Sequence, residues 1–392
     1  MSKKQLNRKQ YWRSLNQLAD TDEFRSFVEN EFPEGTLELS DGLSRRKFLS
    51  LMGASLAFAG LAGCRRPIEK IIPYVISPED IVPGIPLYYA SAMPFGLESI
   101  GVLVENHEGR PTKLEGNESH PSSNGKANAF VQASILDLYD PDRAKEVSNG
   151  GESSDFEAFL LAWQDVRNKF ENGAGENLAV ISTEYSSPTL ARLKKEFLKA
   201  YPNATWVAYE PVNDENVRRG IKMATGTLAR PLYSMDKANV ILALDSDFLQ
   251  TESDVLRNAG DFAKGRKVTH ENDQMNRLYV AESNYTVTGA MADHRFKMQS
   301  NHIAAFVAAV AIEINKQGFS VSGIDGIKSA GFSFNKSTIK ALVRDLITNK
   351  GKSLILAGSR QPAHVHAIVS AMNEALSNIG ETVTYYTFPD AQ

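Results

Sequence analysis

Apolar and polar positions alternate in two distinct ways from about residue 151 onward. Apolar runs of about five residues predict buried strands, and longer segments with an apolar residue at every third or fourth position predict helices. The predicted strands are 178–182, 205–209, 240–244, 267–269, 278–281, 353–357 and 382–387. The predicted helices are 156–170, 189–200, 215–225, 301–316, 337–348 and 363–377. Strands that alternate with helices indicate a doubly wound parallel sheet, so we expect residues 151–392 to form an incomplete Rossmann-like α/β domain.

The preceding part of the chain, residues 65–150, has a pattern richer in strands. Prolines recur through residues 65–98, which predicts an extended arm along a surface. Period-two alternation predicts a hairpin of strands 99–105 and 111–115, and a helix is predicted at 129–139. A small β-rich domain is therefore expected ahead of the α/β domain.

Residues 1–44 form a long polar leader. Apolar residues recur at helical spacing in residues 11–18 and again in residues 24–32, and Pro33 follows the second stretch. The pattern predicts two short amphipathic helices. They would serve a targeting or chaperone step, or they belong to a fraying terminus without such a role.

The segment Ser44-Arg45-Arg46-Lys47-Phe48-Leu49 begins an apolar run that ends in Leu61-Ala62-Gly63-Cys64. As a helix, residues 48–62 would be about 22 Å long, which is short for a bilayer core of about 30 Å. Paired arginines before a short run of small residues are typical of a twin-arginine export signal, and the L-A-G-C ending is typical of a lipoprotein processing site. Residues 45–64 are therefore predicted to be an export signal with a lipobox.

On this prediction, Arg45 and Arg46 direct export, and Cys64 is the lipid attachment site. Because two or three acyl chains anchor a protein stably, we expect the protein at the periplasmic face of the inner membrane. The alternative is a buried core helix followed by a chance cysteine. Twin-arginine export carries proteins that are already folded, often with a cofactor or partner, and so indicates a complex redox protein.

Charge and cysteine content exclude several classes of function. The chain has 43 lysine and arginine residues against 47 aspartate and glutamate residues, and no basic stripe follows the signal, which argues against a nucleic-acid partner. Cys64 is the only cysteine. The chain therefore cannot form an intramolecular disulfide, a four-cysteine zinc site or a cysteine-held iron–sulfur cluster.

Several segments carry a family resemblance. Residues 109–121 (GRPTKLEGNESHP), 138–143 (LYDPDR) and 239–249 (NVILALDSDFL) resemble the N-terminal part of the molybdopterin oxidoreductases, the dimethyl-sulfoxide-reductase-like superfamily. More narrowly, the extended twin-arginine leader, residues 91–96 (SAMPFG) and residues 281–295 (AESNYTVTGAMADHR) resemble the molybdopterin-like/iron–sulfur subunit of alternative complex III. The resemblance covers nearly the whole chain.

The resemblance implies a dimethyl-sulfoxide-reductase-like fold and a subunit of a respiratory quinol:electron-acceptor (cytochrome c) oxidoreductase. It implies as partners a multihaem cytochrome c subunit, an iron–sulfur ferredoxin-like part and polytopic quinol-binding membrane subunits. Iron–sulfur clusters and haem c are expected in those partners or in a continuation of this chain.

The departures from the family pattern bear on cofactors. Cluster-bearing relatives place cysteines in the regions that correspond here to Tyr89-Ala90-Ser91-Ala92-Met93 and Lys126-Ala127-Asn128-Ala129, and both regions lack them. Since hydroxyl and amide groups do not replace thiolates at such clusters, we expect a cofactor-free scaffold without catalytic, cofactor-binding or metal-binding residues. Two alternatives remain. The chain is part of an active molybdopterin-dependent oxidoreductase, or it is a lipoprotein binding module unrelated to respiration.

Two turns after predicted strands are weaker candidates for a site. Gly358-Ser359-Arg360 is either an ordinary turn or a place for a phosphate or nucleotide edge, because ligands in open α/β sheets lie beyond the carboxyl ends of strands. Asp245-Ser246-Asp247 occupies the equivalent place after strand 240–244, where two carboxylates would repel a phosphate.

The histidines give no clear metal site. His364 and His366 are two residues apart on a predicted helix and so lie on different faces, which makes them poor co-ligands. His120 and His294 are expected in hydrogen-bonded turns, with a ligand or partner contact as the alternative for each.

Overall fold

The computed structural model describes residues 78–271, 273–324 and 334–387, together with positions 19, 21, 22, 75 and 76. The chain divides into two units, residues 1–77 and 78–392, and all elements below belong to the second. The predicted leader helices, Arg45, Arg46 and Cys64 lie outside the described residues. Among the helices that are described, none has the length and apolar character needed to cross a membrane.

The helices and strands follow one another in an order that separates two halves. The first half contains β1 (Leu87–Phe95), β2 (Glu98–His107), β3 (Arg110–Gly116), α1 (Ala129–Ala133), β4 (Val147–Asn149), β5 (Glu152–Ser154), α2 (Phe156–Glu171), β6 (Ala179–Ser182), α3 (Pro188–Ala200) and β7 (Thr205–Ala208). The second contains α4 (Glu215–Thr225), β8 (Arg230–Tyr233), β9 (Val240–Leu244), α5 (Val255–Arg266), β10 (Arg277–Glu282), α6 (Val287–Ala290), β11 (His294–Lys297), α7 (Ile303–Lys316), α8 (Lys336–Thr348), β12 (Ser353–Ala357), α9 (Ala363–Ala375) and β13 (Val383–Tyr386). Short 3-10 helices lie at Ser134–Leu138, Met235–Lys237 and Ser300–His302.

The first three strands form an antiparallel sheet in the order β1-β2-β3. The predicted hairpin is confirmed, but the end of the predicted arm is wrong, because residues 87–95 pair with β2 along their whole length. Pro94 misled the prediction, since proline is tolerated on an edge strand such as β1. Ile100 and Val102 of β2 pack against Val131 of α1, and Leu256 of α5 packs on the same cluster.

The second half is built on a parallel sheet in the order β11-β10-β9-β12. β9 and β12 are buried along their whole length, as expected of strands covered on both faces. Side chains of α7, α8 and α9 cover one face. Phe262 of α5, with Phe248, Met235 and Val383, covers the other. The fold is thus mixed α/β with a parallel sheet, as the pattern predicts.

Not every predicted strand joins this sheet. β6 and β7 pair with each other in parallel as a separate two-stranded sheet. β13, predicted as the last parallel strand, pairs antiparallel with β8. The strand predicted at residues 267–269 is wrong: these residues lie in a loop after α5, and Val268 is exposed.

Candidate functional site

The order of the parallel strands creates a crevice beside β9. The chain runs from β9 through β10 to β11 on one side, then returns through α7 and α8 to place β12 on the other side of β9. In open α/β sheets, ligands bind beyond the carboxyl ends of the strands at this kind of reversal. We call the region that follows β9 and β12, residues 245–254 and 358–361, the switch-point crevice.

The crevice opens into a cavity of about 640 Å³. Its other walls come from the start of β2, from α1 and from residues 210–214. Phe95 and Phe130 form an apolar lip, with ring centroids 5.4 Å apart, and both are exposed. Five carboxylates and one guanidinium also line the cavity: Glu98, Glu184, Glu210, Asp214, Glu252 and Arg230.

One carboxylate closes the turn that follows β12. The backbone N–H of Ser359 lies 3.3 Å from Oε1 and 3.2 Å from Oε2 of Glu252. A side chain at Gly358 would overlap with the carbonyl of Asp245, so the turn is pressed against the segment after β9. Burial raises the pKa of Glu252, while the hydrogen bonds from Ser359 oppose the rise.

The carboxylates of Asp245 and Asp247, which follow β9, accept hydrogen bonds from other residues of the chain. Oδ2 of Asp245 accepts hydrogen bonds from Ser300 Oγ at 2.6 Å and from Gln361 Nε2 at 2.9 Å. Oδ1 of Asp247 accepts from the backbone N–H of Thr288 at 3.0 Å and from its hydroxyl at 2.7 Å. These aspartates therefore join the carboxyl ends of neighbouring strands.

At the junction of the first sheet with α5, two carboxylates lie together. Oε1 of Glu98 accepts a hydrogen bond from the backbone N–H of Asp254 at 2.5 Å. Burial raises the pKa of Glu98 to about 7, and the nearby charge of Asp254 adds to the rise. Burial also raises the pKa of Asp254, with Arg230 acting in the opposite direction.

The buried Arg230 connects this junction to α4. Its Nε lies 2.5 Å from Oδ2 of Asp214, and its Nη1 donates to the Tyr386 hydroxyl at 3.2 Å. Arg218 bridges Asp214 at 2.9 Å and Glu184 at 2.5 Å. Burial opposes the charge of Arg230, but Asp214 and the other anions raise its pKa, so the guanidinium stays charged. Arg230, the cation that lines the cavity, is thus already paired with Asp214.

Residues 281–295, which carry part of the family resemblance, fold into a local network beside the crevice. The buried Glu282 accepts from Arg295 Nε and from Thr286 Oγ1, each at 2.5 Å. The hydroxyl of Thr286 in turn accepts from the backbone N–H of Gly289 at 2.9 Å. Since a Cβ at Gly289 would overlap with Glu282, glycine is required there. This segment positions the end of β10.

Two of the histidines singled out from the sequence, His120 and His294, lie in structural contacts. His120 packs its ring on Gly101 and contacts Ser122 Oγ at 2.8 Å. His294 stacks on Tyr279 at 4.6 Å between ring centroids. His364 is exposed whereas His366 is buried, as their spacing predicts. Among the described residues, no group of three or more His, Cys, Asp or Glu side chains is arranged to hold a metal ion.

The sequence identified both turns of the crevice but missed Glu98, Arg230, Glu252 and Asp254. These residues come from β2, β8 and the loop after β9, which are far apart in the chain. No local motif marks them. The one available signal was the unusual density of acidic residues in 245–254, where Asp245, Asp247, Glu252 and Asp254 occur within ten positions.

A second notable surface is formed by exposed apolar residues of α2 and of the β6–β7 sheet, which lie in the chain between the antiparallel sheet and the parallel sheet. Apart from Gly175 and Gly220, no residue between Ile135 and Ile221 is buried. Five exposed apolar residues on α2 recur at helical spacing and form what we call the α2 stripe: Phe156, Phe159, Leu160, Trp163 and Val166. The rings of Phe159 and Trp163 stack with centroids 6.4 Å apart. On the β6–β7 sheet, the paired residues Ile181 and Val207 are also exposed.

Comparison with known proteins gives one relative in sequence. No family model matches the chain. Over 249 residues it is 24% identical to the molybdopterin-binding-like subunit of menaquinone reductase from Nitratidesulfovibrio vulgaris, a match that covers 62% of this chain and 35% of the relative. The chain thus spans about a third of the relative's length.

Solved structures include two partial likenesses. Acetylene hydratase from Pelobacter acetylenicus superposes with a TM-score of 0.47 at 14% identity, over 73% of this chain and 43% of that one. The formyltransferase/hydrolase complex from Methylorubrum extorquens gives a TM-score of 0.38 at 13% identity, over 57% and 55%. By its sequence match, the chain is a distant homologue of a menaquinone reductase molybdopterin-binding-like subunit.

Proposed function

We propose that this chain is a structural subunit of a quinol:electron-acceptor oxidoreductase complex of the alternative complex III type. In this proposal it adopts the dimethyl-sulfoxide-reductase-like arrangement and carries no cofactor of its own. Electrons pass through iron–sulfur clusters and haem c in partner polypeptides or in a continuation of the chain. The distant homology to a quinone-reductase subunit supports this assignment.

The proposed location is the periplasmic face of the inner membrane. The supporting observation is the sequence alone: Arg45 and Arg46 ahead of a short apolar run, and Cys64 at its end. Acyl chains on Cys64 would anchor the protein beside polytopic quinol-binding subunits.

The main support for the proposed role in a complex is the exposed apolar surface of the α2 stripe. Parallel sheets normally have both faces covered, yet Ile181 and Val207 on the β6–β7 sheet are exposed. The five side chains of the stripe are each about half exposed, and aromatic residues bury roughly 150–250 Å² each, so the stripe offers several hundred Å² of apolar area. Surfaces of this size on soluble proteins are typical of interaction sites. A helix face with anchors at i, i+3, i+4 and i+7 fits an apolar groove of a partner subunit.

The residues of the switch-point crevice do not fit the molybdopterin group that the relative's name implies. That group carries a phosphate, and phosphate sites need free backbone N–H donors or unpaired cations. Here the Ser359 N–H is bonded to Glu252, Arg230 is paired with Asp214, and further carboxylates line the cavity. This favours a scaffold over the alternative of an active molybdopterin-dependent oxidoreductase.

The test is association in the native host. An affinity-tagged chain is purified from detergent-solubilised membranes, and its partners are identified by haem staining, iron analysis and quinol-dependent cytochrome c reduction. We expect the wild-type chain to bring down haem- and iron-containing subunits with quinol oxidation activity. The double variant Phe159→Glu/Trp163→Glu should lose them, because two charges in an apolar interface are strongly unfavourable.

A matched control lies on the same helix. Leu161 is exposed but stands two residues from both Phe159 and Trp163, which places it on the other side of α2. Leu161→Glu should therefore keep the partners. Retention of every partner by the double variant would exclude the α2 stripe as the interface, and a wild-type chain that purifies alone would exclude this function.

Anchoring is tested separately. Cys64→Ser should abolish incorporation of labelled fatty acid and move the chain from membranes to the soluble periplasmic fraction. Arg45→Lys/Arg46→Lys should retain the chain in the cytoplasm. Fatty-acid labelling that persists in the Cys64→Ser variant would contradict the proposed anchor.

A further inference from the structure

We propose that the Glu252 carboxylate takes the place of a ligand anion at the turn after β12, so that the chain closes its own switch-point crevice to phosphate groups. The inference rests on the proposed function, because a structural subunit without a cofactor has no use for an open phosphate site. It goes further in assigning to the Glu252 carboxylate the role of the bound anion.

The position of Glu252 is fixed by the loop that carries it. The backbone N–H groups of Gln250, Thr251 and Glu252 all point to the carbonyl oxygen of Asp247, at 3.1, 2.9 and 3.3 Å. Asp247 is itself held through its side chain by Thr288. The loop is therefore tightly wound, and its last residue projects its carboxylate across the crevice.

The receiving turn has the features of an anion site. It follows a parallel strand at the switch point and leads into the 13-residue helix α9, whose N-terminal end favours negative charge. A Cβ at Gly358 would lie 3.0 Å from Glu252 Oε1, so the backbone approaches the carboxylate closely. Both carboxylate oxygens lie within hydrogen-bond distance of the Ser359 N–H. The geometry is that of a backbone-bound anion, with the anion supplied by the protein.

A phosphate could not bind beside this carboxylate. It would find the Ser359 donor already occupied by Glu252. Its negative charge would also be repelled by Glu252 and by Glu98, which lines the same cavity. Removing the Glu252 side chain beyond Cβ frees the donor and removes the nearest negative charge. Replacing it with glutamine removes the charge but leaves an amide oxygen of the same size that still accepts from Ser359.

The experiment measures binding of inorganic phosphate to the purified full chain by isothermal titration calorimetry at pH 7.5. We expect saturable binding to Glu252→Ala and no saturable binding to the wild type over the same phosphate concentrations, which corresponds to an affinity at least tenfold higher for the variant. Glu252→Gln should behave like the wild type, because the donor remains occupied. Glu210→Ala, which removes another carboxylate that lines the cavity, is the matched control and should also show no gain.

Two outcomes would overturn the inference: saturable phosphate binding by the wild type equal to that of Glu252→Ala, or no gain in a folded Glu252→Ala variant. If that variant does not fold, the wild type is tested with ¹⁵N-serine labelling. The Ser359 amide resonance should shift with pH in the wild type and lose this shift in Glu252→Gln. A Ser359 resonance that does not respond to pH would equally refute the contact.

These results are separable from the proposed function. Phosphate binding is measured on the isolated chain, whereas the proposed function is tested by recovery of partners from membranes. A Glu252→Ala variant that gains phosphate binding, in a chain that recovers no partners, would support closure of the crevice and exclude the complex. Recovery of partners by the wild type, without any gain of phosphate binding in Glu252→Ala, would support the complex and exclude closure of the crevice.

Discussion

Oε1 of Glu98 and the backbone nitrogen of Asp254 lie 2.5 Å apart, which joins the first residue of β2 to the residue just before α5. Asp254 has a φ of 57°, in the left-handed region that residues other than glycine seldom adopt. A carboxylate from the antiparallel sheet thus stabilises an unfavourable backbone conformation in the α/β part. Because burial raises the pKa of this carboxylate to about 7, the contact responds to pH near neutrality.

The first prediction concerns alkaline loss of stability through Glu98. The pKa of Glu98 is about 7 in the folded chain, against 4.5 for an unperturbed glutamate. The stability that depends on protonated Glu98 is therefore fully present below pH 4.5 and is lost as pH rises through 7. The shift corresponds to at most about 3 kcal/mol. Glu98→Gln keeps an acceptor for Asp254 but cannot ionise. At pH 8 its free energy of unfolding in urea should exceed that of the wild type by about 1–3 kcal/mol, and at pH 4.5 the two should agree.

The control for this comparison is Glu157→Gln on α2, where the side chain is exposed, and this variant should follow the wild type at both pH values. Equal unfolding free energies of Glu98→Gln and the wild type at pH 8 would show that Glu98 ionises freely.

The second prediction has the opposite sign and concerns His366. Burial lowers its pKa to about 4 from 6.5, so the folded chain binds its proton later than the unfolded chain as pH falls. The stability that depends on neutral His366 is present above pH 6.5 and is lost as pH falls towards 4, by at most about 3 kcal/mol. His366→Asn should flatten the fall in unfolding free energy between pH 7 and pH 5. His364→Asn, on the exposed side of the same helix, should retain the wild-type profile; a flattened profile in both variants would refute the assignment.

A third prediction tests the Glu282 network. Gly289→Ala should lower the free energy of unfolding by about 2–4 kcal/mol, because its Cβ overlaps with Glu282 and displaces a buried carboxylate from Arg295 and Thr286. Gly173→Ala is the control, since its Cβ would meet only Glu176, at 3.3 Å from the Cβ and 3.7 Å from the backbone nitrogen of that residue. Urea unfolding at pH 7 compares them. Equal changes in the free energy of unfolding for Gly289→Ala and Gly173→Ala would mean that the Glu282 network accommodates the added Cβ without loss of stability.

A fourth prediction separates folding from association at the α2 stripe. Phe159→Ser and Trp163→Ser should each change the free energy of unfolding of the isolated chain by less than about 1 kcal/mol, because both side chains are half exposed. Leu342→Ala in the buried face of α8 should lower it by about 2–5 kcal/mol. Thermal and urea unfolding provide the measurement. A large loss at Phe159 would mean that the stripe belongs to the chain's own core.

The hydrophobic pattern predicted the two fully buried strands β9 and β12 and the amphipathic helix α4 well. β9, β12 and α4 have the predicted bounds because their sequences are continuous apolar runs or a clear helical repeat. α5 was missed because Gly260 and Gly265 weaken its helix propensity. Gly260 has a packing reason that no local pattern contains: the side chain of Lys126 lies across it.

Pairing between distant segments was beyond the sequence pattern. The residues of β13 read correctly as a strand, but its antiparallel partner β8 lies about 150 positions earlier in the chain. The acidic turn after β9 was expected to repel phosphate, yet its contact partners, Thr288, Ser300 and Gln361, follow only from the folded sheet. Glu98 and Glu252 were missed for the same reason, since each acts on a backbone N–H far away in sequence.

The close approach of α4 to α9 constrains how this chain can change over evolutionary time. At Gly220, a Cβ would overlap with the carbonyl of Ala363 and with the Cβ of His366. Because one of these obstacles is main chain, no compensating mutation at position 366 alone could make room for alanine. Lineages that share this helix contact should therefore keep glycine at position 220, and a homologue with a larger residue there must hold its two helices further apart.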